Sequence, residues 1–171
     1  MTAITPLESI HKKGTFGDHH KKNESDLLKI SEVKNLTIIQ VVKYKKSKIN
    51  LNDVKIEDLI LPDENFSNRV TSNKEIRILW NAPRTWLIIS SREDLFDIIK
   101  KNFKEEDFAL TDLSHSRAVI QIKGFNSREV LKKGSPINID QLGINKCVGT
   151  VFHGISIIID LVDDDPDTFN L

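Results

Sequence analysis

Apolar residues are sparse and scattered before Leu36; beyond it they fall into short runs separated by polar breaks. "LTIIQVVK" (36–43) is dense in β-branched residues and predicts a strand. "INLNDVKIEDLIL" (49–61) predicts a helix capped by Asn50 or Asn52 and stopped before Pro62. In "EIRILW" (75–80), Ile76, Ile78 and Trp80 share one face at the period of a strand. "NAPR" (81–84) is a turn, and "TWLIIS" (85–90) returns as the second arm of a hairpin. "SSREDLFDIIKKNF" (90–103) carries the fullest helix pattern. Ser90 and Glu93 have capping-box spacing, and Leu95, Ile98, Ile99 and Phe103 form one apolar stripe. "FALTDL" (108–113) predicts a further strand. The resulting order is β-α-β-β-α-β, the split βαβ or ferredoxin-like arrangement.

A second, related unit follows at once. "RAVIQIK" (117–123) alternates, with Ala118, Ile120 and Ile122 on one side. "FNSREVLKKG" (125–134) predicts a short helix with Asn126 as cap, Glu129 in its first turn and Phe125 placed to staple onto Val130. Gly134 can close it through a left-handed residue, and Pro136 prevents its continuation. "CVGTVFHGISIIIDL" (147–161) predicts two strands joined at His153-Gly154. The expected fold class is therefore α+β: two small ferredoxin-like (split βαβ) modules, at 36–113 and 114–171. The second is an incomplete βαββ unit, because no second helix follows.

Residues 1–35 have a different texture, with lysine pairs at Lys12-Lys13 and Lys21-Lys22 and few apolar side chains. Such a segment cannot bury enough surface to offset its own ordering entropy. It is a disordered tail, or an extended arm that lies on a partner through Leu7, Ile10 and Phe16. Lys+Arg and Asp+Glu number 25 each, so the formal net charge is zero. That balance supplies no electrostatic reason to propose nucleic acid or an anionic membrane as partner. It also removes the self-repulsion that keeps a free monomer soluble, which favours life inside an assembly. One cysteine, Cys147, cannot form an internal disulfide and fits a reducing compartment. No apolar run approaches the about 18 residues of a membrane span, and the N-terminus lacks a signal-peptide core. A cytoplasmic location is expected.

The chemistry these residues offer is thin. "DLSHSR" (112–117) places Asp112, Ser114 and His115 together, the side-chain types of a hydrolase triad. A nucleophilic serine needs an exposed elbow between strand and helix, with its base arriving from elsewhere in the fold. Ser114 lies between two strands without flanking glycines, and its neighbour His115 would point to the opposite face. Asp112 and Ser114 are better suited to satisfying backbone groups in a tight connection. The five histidines and Cys147 show no metal-ligand spacing, and "DDDPD" (163–167) lacks the glycine and terminal glutamate of a calcium loop. Neither a G-x-G-x-x-G nor a P-loop occurs. Trp80 and Trp86 flank the "NAPR" turn, where core packing is the first expectation and partner contact the second. No catalytic, cofactor-binding or metal residue is assigned.

Four stretches carry a resemblance. "TPLESIHKKGTFG" opens the chain, and "LWNAPRTWLIIS" is similar to a tryptophan-containing "LGPDEWLL" segment. "LTDLSHSRAVIQIKGFNSREVLKKGSPINID" is similar to a D-V-S-H-R block that ends in G-C-P-L-D-L. "INKCVGTVFHGISIIID" is similar to an F-P-x-G-x-C-x-x-T hairpin with its following strand. Together, over most of residues 5–160, they resemble the gamma subunits of heterotetrameric sarcosine oxidases, within the wider aminomethyltransferase-like, folate-binding fold group. Two departures stand out. Gly134-Ser135-Pro136 replaces the family's G-C-P, and the chain ends at Leu171, before the expected further strand and the helix carrying an R-S-F motif.

The resemblance implies an accessory, non-catalytic subunit of an oxidoreductase complex. Such complexes oxidise the N-methyl group of sarcosine to give glycine, hydrogen peroxide and methylene-tetrahydrofolate. FAD, FMN, NAD and tetrahydrofolate would then be held by partner alpha and beta subunits, with delta completing the heterotetramer. Leu7, Ile10, Phe16, Trp80 and Trp86 become the candidate partner contacts. The alternative is a free-standing folate-binding or aminomethyltransferase-like protein, in which Asp112 would meet the pterin and Arg117 the glutamate tail.

Overall fold

A computed structural model of the chain describes residues 7–10, 22–23 and 27–171. It contains twelve strands and two short α-helices among the described residues, an α+β fold built on mostly antiparallel sheets. The chain divides into two compact units. One comprises residues up to Lys34 with Ala118–Ile144 and Gly149–Leu171; the other comprises Asn35–Arg117 with Asn145–Val148.

The Asn35–Arg117 unit holds a five-stranded sheet ordered β5-β6-β7-β2-β8. Its strands are β2 (Thr37–Lys43), β5 (Val70–Ser72), β6 (Ile76–Ala82), β7 (Thr85–Ser90) and β8 (Phe108–Asp112). Strand β2 pairs antiparallel with β7 on one side and β8 on the other, Val41 facing Trp86 and Leu110. The predicted β6–β7 hairpin forms, with Trp80 opposite Trp86 and Arg84 at a φ of 60° in the turn. Helix α1 (Leu95–Asn102) is shorter than expected, because Ser90 ends strand β7 and its hydroxyl accepts from Arg92 N–H, one turn too early for a helix cap. Leu95, Ile99 and Phe103 nonetheless bury the expected stripe against Ile39, Val41, Ile76, Ile78, Trp86 and Ile88.

The helix expected over 49–61 does not form. Asn50 does cap, accepting from Asn52 N–H, but only a 3-10 turn (Leu51–Asp53) follows. The chain then makes a two-stranded hairpin, β3 (Lys55–Ile56) and β4 (Leu59–Ile60), turning at Glu57 with φ 56°. The physical reason lies in the burial pattern. Val54 and Ile56, then Leu59 and Leu61, are buried at every second residue around an Glu-Asp turn, a strand period and not a helical one. These four side chains join the same core as α1, filling the place on the sheet face where a helix was expected.

The other unit holds a sheet ordered β1-β9-β12-β11-β10. It is built from β1 (Lys29–Val33), β9 (Val119–Lys123), β10 (Cys147–Phe152), β11 (Ile155–Asp164) and β12 (Asp167–Asn170). Two of these strands differ from expectation. Lys29–Val33 lies within the 1–35 segment expected as an arm, yet it pairs along the whole of β9, with Ile30 opposite Ile122. No strand was expected at Asp167–Asn170, which starts on the last residue of the acidic "DDDPD" stretch, yet it fills the centre of the sheet between β9 and β11. Within the 114–171 segment expected as one module, Asn145–Val148 instead belongs to the other unit. There Val70 N–H donates to Asn145 C=O and Cys147 N–H to Asn68 C=O.

Helix α2 (Ser127–Lys132) covers this sheet with Leu131, beside buried Ile139 and Phe169. Gly134 does not close α2 in a left-handed conformation. A β-carbon there would stand 2.5 Å from the Phe152 ring, so glycine is present for a close approach. The His153-Gly154 turn forms as predicted, with φ 47° and 85° at its two central residues, the signature of the hairpin turn that matches strand twist.

Candidate functional site

The Asp112–Arg117 connection leaves β8 and is held by its own side chains. Asp112 Oδ1 accepts from Ser114 N–H at 2.9 Å and from the Ser114 hydroxyl at 2.6 Å. Ser114 Oγ in turn accepts from Ile38 N–H at 2.9 Å, and Leu113 N–H donates to Ile38 C=O. The Ser114 hydroxyl and backbone donors hold the Asp112 carboxyl below the usual carboxylate range. His115 and Arg117 are exposed. Ser114 is thus occupied as a staple between β8 and β2, which is the backbone-satisfying role its sequence position suggests. A nucleophile would need its hydroxyl proton directed to a base; here that proton goes to a carboxylate two residues away in a local turn.

The two tryptophans play distinct parts. Trp86 is fully buried in the core of its own unit, and its indole N–H donates to Pro62 C=O at 2.8 Å. It presents no surface to a partner. Trp80 is half-buried and donates to Glu64 C=O at 3.3 Å. The cross-strand pair therefore anchors the 62–66 loop by two of its carbonyls. Lys43 adds an ion pair to Glu64 at 3.0 Å. At the end of that loop Phe66 is exposed, with the Arg69 guanidinium 5.1 Å above its ring. Cys147 is buried, its thiol 3.3 Å from Trp80 C=O.

Of the N-terminal candidates, Leu7 and Ile10 sit in a turn closed by Ile10 N–H to Leu7 C=O at 3.1 Å. Ile10 is 70% exposed, while Glu8 between them pairs with Lys34 at 2.7 Å. Phe16 lies outside the described residues, as do His11, His19 and His20. Among the described residues no group of three or more His, Cys, Asp and Glu is placed to hold a metal ion. No described helix is long and apolar enough to cross a membrane.

Two clusters escaped the sequence reading. Arg128 grips Asp167 through both ends of its guanidinium at 2.7 and 2.8 Å. It also donates to Ile139 C=O and Leu142 C=O, and stacks over Phe169. Its signal was invisible because every partner is distant in sequence. The second is the turn Tyr44–Ser47, which closes from Ser47 N–H to Tyr44 C=O. The Ser47 hydroxyl donates to Asp107 and accepts from Ile49 N–H, so the turn is braced on both sides. With Lys48, Glu106 and Asp107 this turn lines an open surface depression, to which Lys45, Lys46 and Lys48 contribute exposed amines. Its warning was the run K-Y-K-K-S-K, unremarkable in a lysine-rich chain.

No protein-family model matches the sequence, and no curated protein does. A search of solved structures does find a relative in shape. A chain of the heterotetrameric sarcosine oxidase from Corynebacterium sp. U-96, solved in complex with pyrrole 2-carboxylate, superposes with a TM-score of 0.75. The match spans 86% of this chain and 76% of that one at 19% sequence identity. The α+β arrangement described above is therefore the fold of a chain of that heterotetrameric enzyme.

Proposed function

We propose that this chain is the accessory, gamma-type subunit of a sarcosine oxidase-like heterotetramer. The observation that carries the reading is the shared fold over 86% of the chain, met independently of the short motifs that resemble the gamma subunits. Local geometry agrees with a supporting role: the one stretch with triad-type residues is spent on stapling β8 to β2. Oxidative demethylation of sarcosine to glycine, with hydrogen peroxide and methylene-tetrahydrofolate as the other products, would then occur on the alpha, beta and delta subunits. FAD, FMN, NAD and tetrahydrofolate would be bound by the alpha and beta subunits. The first module is of the split βαβ kind, with a β3–β4 hairpin in place of its first helix; in the second, β12 stands between β9 and β11, the strands such a module would pair directly.

Co-purification tests this. The tagged chain, expressed with the large sarcosine oxidase-like subunits of its own genome, is expected to elute in a stoichiometric, flavin-yellow complex. A colourless monomer would overturn the reading. Titration of the isolated chain with tetrahydrofolate checks the free-standing folate protein. Saturable binding that Asp112→Asn and Arg117→Ala both abolish would transfer the function to that alternative.

A further inference from the structure

Strand β8 ends its sheet, and beyond Phe108, whose N–H donates to Lys104 C=O, no described residue pairs with its outer edge. Tyr44 N–H donates to Asp107 C=O and Leu113 N–H donates to Ile38 C=O. In an antiparallel pair the residues bonded inward alternate with residues bonded outward. Ala109 and Thr111 therefore face β2, while Leu110 and Asp112 turn their N–H and C=O groups away from it. No described residue pairs with those outward groups. Of the devices that normally blunt an edge, Phe108–Asp112 has no proline, no lysine and no register shift; its one charge is Asp112, at the end away from Phe108. The opposite edge differs: β5 is three residues long and its Val70 N–H is already taken by Asn145.

The braced lysine turn stands at the Phe108 end of this edge, fixed there by Lys43 opposite Phe108 and by the Tyr44–Asp107 and Ser47–Asp107 bonds. Its neighbours are neutralised, Lys43 by Glu64 at 3.0 Å and Lys104 by Glu106 at 3.9 Å. The amines of Lys45, Lys46 and Lys48 have no carboxylate at ion-pair distance among the described residues. In a chain of zero net charge this is a local excess of positive charge beside an open row of peptide donors and acceptors. A phosphodiester backbone could answer the lysines but offers nothing to the peptide ladder. A polypeptide with acidic side chains answers both.

We infer that the outer edge of β8 receives an extended, acidic segment of a partner protein, which adds a strand to the sheet and places its carboxylates on Lys45, Lys46 and Lys48. The inference rests on the accessory-subunit reading for the identity of the partner alone, since edge and charge are properties of this chain. The test uses the full chain and a labelled decapeptide of alternating glutamate and valine. Saturable binding is expected, weakening as sodium chloride is raised. Hydrogen exchange at the Leu110 and Asp112 amides should slow in the complex. Reversing all three charges (Lys45→Glu, Lys46→Glu, Lys48→Glu) should weaken binding roughly tenfold. Leu110→Pro, which deletes an outward N–H and no ladder bond, should abolish it. The same peptide with alternate backbone nitrogens methylated is expected not to bind, a control that does not depend on any variant folding. Absence of binding, or equal binding by the methylated peptide, would overturn the proposal. Slowed exchange at Leu110 and Asp112 together with failed co-purification would place the error in the accessory reading; a yellow complex without that slowing would place it here.

Discussion

Ser114 and Gly134 show how single atoms decide local structure here. Ser114→Ala removes the acceptor for Ile38 N–H and the hydroxyl donor to Asp112 while keeping the backbone donor, and is expected to cost about 1 kcal/mol at neutral pH. The pH dependence has a definite sign. Asp112 is held below its ordinary range in the folded chain, so its contribution is complete above that range and is lost as pH falls through it. Urea titrations carried below about pH 5 should therefore show a shallower acid loss in Ser114→Ala than in the parent. At Gly134 the backbone itself would accept alanine; the obstacle is the Phe152 ring. Gly134→Ala should destabilise by about 1–3 kcal/mol through overpacking. Phe152→Leu in the same chain should recover part of that loss, and a double-mutant cycle measures the coupling.

Elements were legible in the sequence where alternation was dense and short-range. Strands β2, β6, β7, β8, β9, β10 and β11 all announce themselves through runs of isoleucine, valine and leucine, and the Asn50 cap and the His153-Gly154 turn through local residue chemistry. Strand β1, "KISEV", was hidden because an edge strand exposes most of its residues and so shows no apolar face. Strand β12, "DTFN", was hidden for the opposite reason: two neighbouring strands supply its burial, and its own sequence offers little beyond Phe169. The same long-range logic governs Arg128, which fastens α2 to β12 and to the Ile139–Leu142 carbonyls. Arg128→Lys keeps the charge and loses the planar fork, and is expected to cost about 1–3 kcal/mol in chemical denaturation. Of the candidate site, the stapling role of Asp112 and Ser114 could be read from residue types alone. The burial of Trp86 and the unpaired lysines beside β8 could not, since both depend on which strands become neighbours.

At the scale of the whole chain, the two units are interleaved along the sequence, and each sheet draws on distant segments. Deleting residues 167–171 removes the strand that β9 and β11 share. Hydrogen exchange should then show loss of protection across β1, β9 and β11, while β2, β6 and β7 keep theirs; uniform loss throughout would mean that the units do not hold separately. The central place of β12 also bears on how the protein is made. Polypeptides emerge at roughly 5–20 residues per second, beginning from the N-terminus. Strand β9 (Val119–Lys123) is therefore made well before β12 (Asp167–Asn170), the strand that occupies one of its two edges. In that interval the edge of β9 whose Ile122 will lie opposite Phe169 stands open to neighbouring nascent chains. An edge made in the middle of the chain waits for a strand made about forty residues later, so it stays uncovered for the few seconds that the intervening segment takes to synthesise.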